Sequence, residues 1–154
     1  MKYTLAILAA FAAAPAFAAG DAAKGEAGFK QCQTCHVVAD ETGKVLAGKG
    51  AKVGPNLYGV FGRAAGSYPE FKYGESIVAA GAAGLIWDEA TFTAYVQDPA
   101  GFLKERLSDN GAKAKMMIKV KNAETAVDLY AYLVQFSPAA AAAPAAAATT
   151  TTTP

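Results

Sequence analysis

Metal-binding and proton-handling side chains are scarce in this chain. It holds one histidine, His36, and two cysteines, Cys32 and Cys35. A structural zinc site takes about four protein ligands, and these three fall short. With no second histidine, a histidine pair is excluded. Charge is also sparse: 18% of residues are Asp, Glu, Lys or Arg and the net charge is +1. That balance lacks the basic footprint of a nucleic-acid binder, so no nucleic-acid partner is expected. The N-terminal apolar run, Leu5 to Ala14, is short of the roughly 20 residues that span a bilayer. No strand alternation is sustained over residues 37–70, and no βαβ pattern follows the cysteines, which argues against a thioredoxin-like setting.

What is present concentrates in five residues, Cys32-Gln33-Thr34-Cys35-His36. This C-x-x-C-H spacing reads as a covalent haem attachment site. Two thioether bonds would hold the porphyrin edge while the adjacent imidazole reaches the iron as proximal axial ligand. The expected cofactor is one covalently bound haem c.

The two ends of the chain read differently from its middle. Lys2, the apolar run, Pro15 and Ala16-Phe17-Ala18 have the layout of a secretory signal, with cleavage expected after Ala18 or, alternatively, Ala19. Residues 1–18 are thus read as a cleaved signal peptide and the protein as periplasmic. Residues 19–137 leave room for one domain of ordinary size. Residues 138–154 contain only alanine, threonine and proline, cannot offset their ordering entropy by burial, and are expected to be a disordered tail.

Within the domain the periodicity is helical. Asp21 can cap a helix running towards Cys32 with Phe29 on its buried side, and Gly25 and Gly28 inside it suit a close helix crossing. The partner is a last helix that Asn122 caps and Pro138 stops, with Val127, Tyr130, Ala131 and Val134 as its apolar stripe. Asp88 caps a segment carrying Phe92, Tyr95 and Val96, and Asp98-Pro99 begins another helix. Residues 37–70 are glycine-rich and loop-like, which makes sense if the loops wrap a large flat apolar group. The expected class is all-α, with about five helices and long loops around one haem.

An iron held by one histidine has a second axial position, and methionine is the leading candidate for it. Met1 leaves with the signal, so Met116 and Met117 remain. A thioether closes the site for electron transfer, whereas an open position would bind or activate small ligands. Near these methionines lie Lys104, Arg106, Lys113, Lys115, Lys119 and Lys121, opposed only by Glu105 and Asp109.

Beyond the attachment motif, several segments occur in a familiar order: GDAAKGEAGFKQCQTCH, GPNLYGVFGR, PEFKY, the Trp87 segment, YVQDP, KAKMM and DLYAYL. Together they resemble the class I c-type cytochromes, and in particular the bacterial cytochrome c2 family, over nearly the whole domain. The resemblance implies Met116 as distal axial ligand, with Met117 a packing residue. It implies that Pro55 offers its carbonyl to the His36 ring, that Arg63, Tyr73 and Trp87 hydrogen-bond the haem propionates, and that Tyr95 lies near the methionine sulfur. It further implies a non-enzymatic, monomeric one-electron carrier. Electrons would come from the cytochrome bc1 complex and pass to a photosynthetic reaction centre or terminal oxidase. Lys113, Lys115 and Lys119 would then steer transient electrostatic docking. The tail has no counterpart in the resemblance.

Overall fold

The computed structural model describes residues 20–137. The expected signal segment and the Ala/Thr/Pro-rich tail lie outside the described residues. The chain forms five α-helices, one antiparallel hairpin and a closing 3-10 turn. In order these are α1 (Ala22–Phe29), β1 (Val37–Ala39), β2 (Val45–Gly48), α2 (Glu75–Ala82), α3 (Glu89–Gln97), α4 (Pro99–Leu107), α5 (Ala123–Leu133) and the turn Val134–Phe136. None of the described helices is long and apolar enough to cross a membrane.

Side-chain caps start four of the helices. The Asp21 carboxylate accepts from the Ala23 and Lys24 N–H groups, and the Asn122 amide oxygen accepts from Glu124. Asp88 and Thr91 form a reciprocal capping box, which satisfies the backbone N–H groups of both residues at the start of α3. Asp98 accepts from Gly101 while Pro99, fully buried, takes the first position of α4, where a missing N–H costs nothing. The α4 helix ends at Ser108, whose φ of 51° is left-handed.

The helix pair α1 and α5 frames the molecule. They cross at backbone range, and the Asp21 N–H donates to the buried Asp128 carboxylate of α5 at 2.7 Å. A Cβ at Gly25 would overlap the Asp128 carbonyl, so this crossing needs glycine there. Gly28 is different, for its nearest neighbours are the Thr125 and Leu129 side chains at 3.4 Å or more. The crossing turns α5 so that Ala126, Leu129 and Leu133 are buried, while Val127, Tyr130, Ala131 and Val134 are only half-buried. The expected stripe is therefore displaced by about one residue. The helix is apolar on most sides, and its docking onto Gly25 selects the face.

Two further departures are local. Residues 37–48 form a hairpin, with Val37 opposite Gly48, Val38 opposite Ala47 and a bulge before Ala39. Strands of three and four residues are too short to leave an alternation, so the all-α expectation becomes mainly helical with a small sheet. The turn is built by Asp40, whose carboxylate accepts from the Thr42 N–H, the Thr42 hydroxyl and the Lys44 N–H. The second departure is α2, which has no side-chain cap and no polar face to mark it. It is held instead by Gly81, which rests against the Ala65 carbonyl, and by Gly66, where a Cβ would sit 2.9 Å from the Val78 Cα.

Phe61 sits at the centre of the core, edge-on to Phe92 at 5.2 Å and to Tyr130 at 4.6 Å. Its N–H donates to the fully buried Ser137 hydroxyl, and the Gly59 N–H donates to Phe136, tying this loop to the end of the domain. The helices thus form a shell on one side. The long segments 49–74 and 108–121 close the other side around a cavity.

Candidate functional site

After Phe29 the chain keeps winding. The Cys32 N–H donates to Phe29, and the N–H groups of Cys35 and His36 both return to the Cys32 carbonyl. This turn brings the two thiols and the imidazole onto the wall of one apolar cavity of about 330 Å³. That size falls in the ordinary range of ligand pockets, roughly 300–1,000 Å³. Both cysteines are free. Burial pushes the Cys32 thiol up to about 11, with Cys35 adding to the shift, so Cys32 is a neutral thiol at ordinary pH.

His36 is held on two sides. Its Nδ1 lies 2.9 Å from the Pro55 carbonyl oxygen. A carbonyl can only accept, so Nδ1 carries the proton and Nε2 keeps its lone pair. Burial lowers the imidazole pKa, and the Pro55 bond only partly offsets this, which leaves the ring neutral. The ring also lies against Gly54, where a Cβ would come within 2.5 Å of His36 Cε1. Gly54 is fixed in turn by donating its N–H to the Cys35 carbonyl at 2.6 Å. Asn56 completes the support, since its amide bonds the backbone of Ala39 in both directions and accepts from the Tyr58 N–H.

Met116 and Met117 both line the cavity, yet their environments differ sharply. Met116 packs against the buried core, while Met117 is 83% exposed. Tyr73 and Tyr95 line the same cavity. Burial pushes Tyr95 up to about 12, with the neighbouring Tyr73 phenol adding to the effect. Trp87 is buried one layer behind, its ring 5.0 Å from that of Tyr95, and does not itself line the cavity. Arg63 lies on an adjoining cavity that shares Gly54, Pro55 and Phe71 with the first. Its guanidinium donates to the Asn56 and Tyr58 carbonyls, stacks over Tyr68 at 5.1 Å and has no carboxylate partner among the described residues. Its charge favours the ionised form of Tyr73, against the larger effect of burial on that phenol.

Of the three lysines, Lys113 and Lys115 line the cavity rim. Lys119 does not; it pairs with Asp98 at 2.8 Å on the surface. Sequence reasoning passed over Gly54 and Asn56 as parts of the site, although the unbroken run Gly54-Pro55-Asn56 was the available signal.

A covalently attached haem fits this donor set. Two thiols three residues apart, a neutral imidazole with a free Nε2 and a sheltered thioether share one apolar chamber. Fold and site together define a class I c-type cytochrome. No family model matches the chain. It is 55% identical over 133 residues to the cytochrome c2 of Cereibacter sphaeroides, covering 85% of this chain and 92% of that one. It is also 55% identical to the cytochrome c2 of Rhodobacter capsulatus over 134 residues, covering 86% and 95%. The solved structure of cytochrome c2 from Rhodobacter sphaeroides superposes with a TM-score of 0.75 at 53% identity, covering 77% of this chain and 97% of that one. The chain belongs to the cytochrome c2 family, electron carriers with one covalently attached haem c.

Proposed function

We propose that this protein is a periplasmic one-electron carrier whose haem iron is held by His36 and Met116. Cys32 and Cys35 supply the thioether bonds. When bound, the haem supplies a one-electron couple at its iron; the protein holds and tunes it. The observation that carries the reading is that one apolar chamber contains both a neutral, Pro55-oriented imidazole and a half-buried thioether. Orientation through Pro55 raises the basicity of the coordinating nitrogen. A thioether ligand and an apolar wall both disfavour the extra positive charge of the ferric state, which raises the potential. The exposure of Met117 supports Met116 as the ligand.

Arg63, Tyr73 and Trp87 are assigned to the propionates, and Tyr95 to the neighbourhood of the Met116 sulfur. The unpaired guanidinium of Arg63 suits a carboxylate. Trp87 packs against Tyr95, which lines the chamber.

The protein performs no bond chemistry and acts as a monomer that is exported through its N-terminal signal. The electron donor is the cytochrome bc1 complex and the acceptor a photosynthetic reaction centre or terminal oxidase. Docking is transient and electrostatic, as suits a carrier that must dissociate at each turnover. Because Lys119 is partly neutralised by Asp98, the steering falls mainly on Lys113 and Lys115.

Absorption spectroscopy of the oxidised protein tests the ligand pair. The weak methionine–iron charge-transfer band at the red edge disappears in Met116→Ala and survives in Met117→Ala. Its persistence in Met116→Ala refutes the assignment. Docking is tested apart from this: partner oxidation slows with rising salt and with charge reversal at Lys113 or Lys115. Salt-independent rates refute the steering role.

A further inference from the structure

We propose that Ser76 and Lys115 form a latch that holds the Met116 segment closed over the cavity, with Ser76 as a positioning residue for the sixth ligand. The inference rests on the reading of Met116 as that ligand. Between Ala112 and Val120 the chain has no helix or strand and, among the described residues, makes no backbone–backbone hydrogen bond of its own. At the far end the segment is moored by the Val120 N–H, which donates to Val96 at 2.8 Å. On the near side two bonds to another part of the chain do the holding. The Lys113 N–H donates to the Ser76 hydroxyl at 3.0 Å, and the Lys115 Nζ donates to the Lys72 carbonyl at 2.8 Å. Met116 follows directly after the second tie.

The post to which the segment is tied is rigid. Ser76 lies in the first turn of α2, and α2 is seated on the 64–66 strand of backbone through Gly81 and Gly66, neither of which has room for a Cβ. Lys72 lies just before α2, and the Lys115 stem lies 3.5 Å from the position a Gly74 Cβ would occupy. A fixed post with two bonds restricts how far the Met116 backbone can swing. Removing one bond therefore raises the population in which the sulfur has left the iron, while the core beneath is untouched. The apparent affinity of an exogenous ligand for the vacated position scales with that population.

The test is imidazole titration of the oxidised, haem-loaded protein, followed by its Soret shift and by loss of the red-edge band. Ser76→Ala raises the apparent imidazole affinity about fivefold, the equivalent of one net hydrogen bond. Ser76→Thr restores affinity to within twofold of the parent, because a hydroxyl at this position is what matters. Amide exchange at Lys113 quickens in Ser76→Ala by a similar factor. An unchanged imidazole affinity in Ser76→Ala overturns the latch, as does a Thr variant no better than Ala. If the red-edge band survives in Met116→Ala, the ligand reading itself fails. If that band is lost while Ser76→Ala behaves as the parent, only the latch fails.

Discussion

Alanine at Gly25 and alanine at Gly28 should have opposite effects, although the two glycines are indistinguishable by helix propensity. Either change gains about 1 kcal/mol by removing glycine from a helix interior. At Gly25 the new Cβ meets the Asp128 carbonyl carbon and the Tyr132 Cβ, each at 2.7 Å, and the Asp128 oxygen closer still. Relief of the carbon contacts alone, to about 3.5 Å, requires α1 and α5 to part by at least about 0.8 Å, a gap that forfeits a quarter to a half of each dispersion contact across the crossing. The obstacle is mostly backbone, so side-chain rotation cannot absorb it. Overpacking of this kind costs about 3 kcal/mol at the upper end of its usual range. After the propensity gain the net loss is about 2 kcal/mol, or roughly 8 °C in Tm for a domain of this size. At Gly28 the nearest atoms are side-chain carbons at 3.4 and 3.6 Å, so most of the propensity gain survives. Denaturant unfolding of the haem-loaded variants, at matched slopes, measures both. Equal losses at the two sites, or a Gly25→Ala variant as stable as the parent, would refute the close-crossing argument.

Two further outcomes bear on the site. Gly54→Ala pushes a methyl group into the His36 ring, where the Cε1 atom lies 2.5 Å from the new carbon, and so breaks the Nδ1–Pro55 bond; the reduced variant should bind carbon monoxide where the parent does not, and a parent-like difference spectrum counts against the cradle. Tyr95 gives a pH dependence with a definite sign. Its phenol is raised by burial to about 12 in the native state, against about 10 when unfolded. Stability from this group is thus intact below pH 10 and is lost as pH rises from 10 to 12, by roughly 3 kcal/mol in all. Tyr95→Phe should flatten the alkaline limb of the stability curve by that order, and parallel curves for variant and parent would contradict the burial argument.

What the sequence makes legible is local in the chain. The attachment motif spans a single turn, so its spacing alone puts two thiols and an imidazole on one wall. The caps at Asp21, Asp88, Asp98 and Asn122 act over two or three residues and were legible for the same reason. Everything that depended on distant segments meeting was decided by tertiary structure. Docking onto Gly25 chose which apolar face of α5 is buried, and α2, which lacks a cap, is held by glycine contacts that no local pattern records. The two adjacent methionines have the same chemistry, and only the fold shelters Met116 and leaves Met117 in water. Lys119 likewise has the chemistry of its neighbouring lysines, and only the fold brings Asp98, 21 residues away in the chain, beside it. Propensity, capping and motif spacing act over a few residues, whereas burial and pairing are properties of where the chain returns.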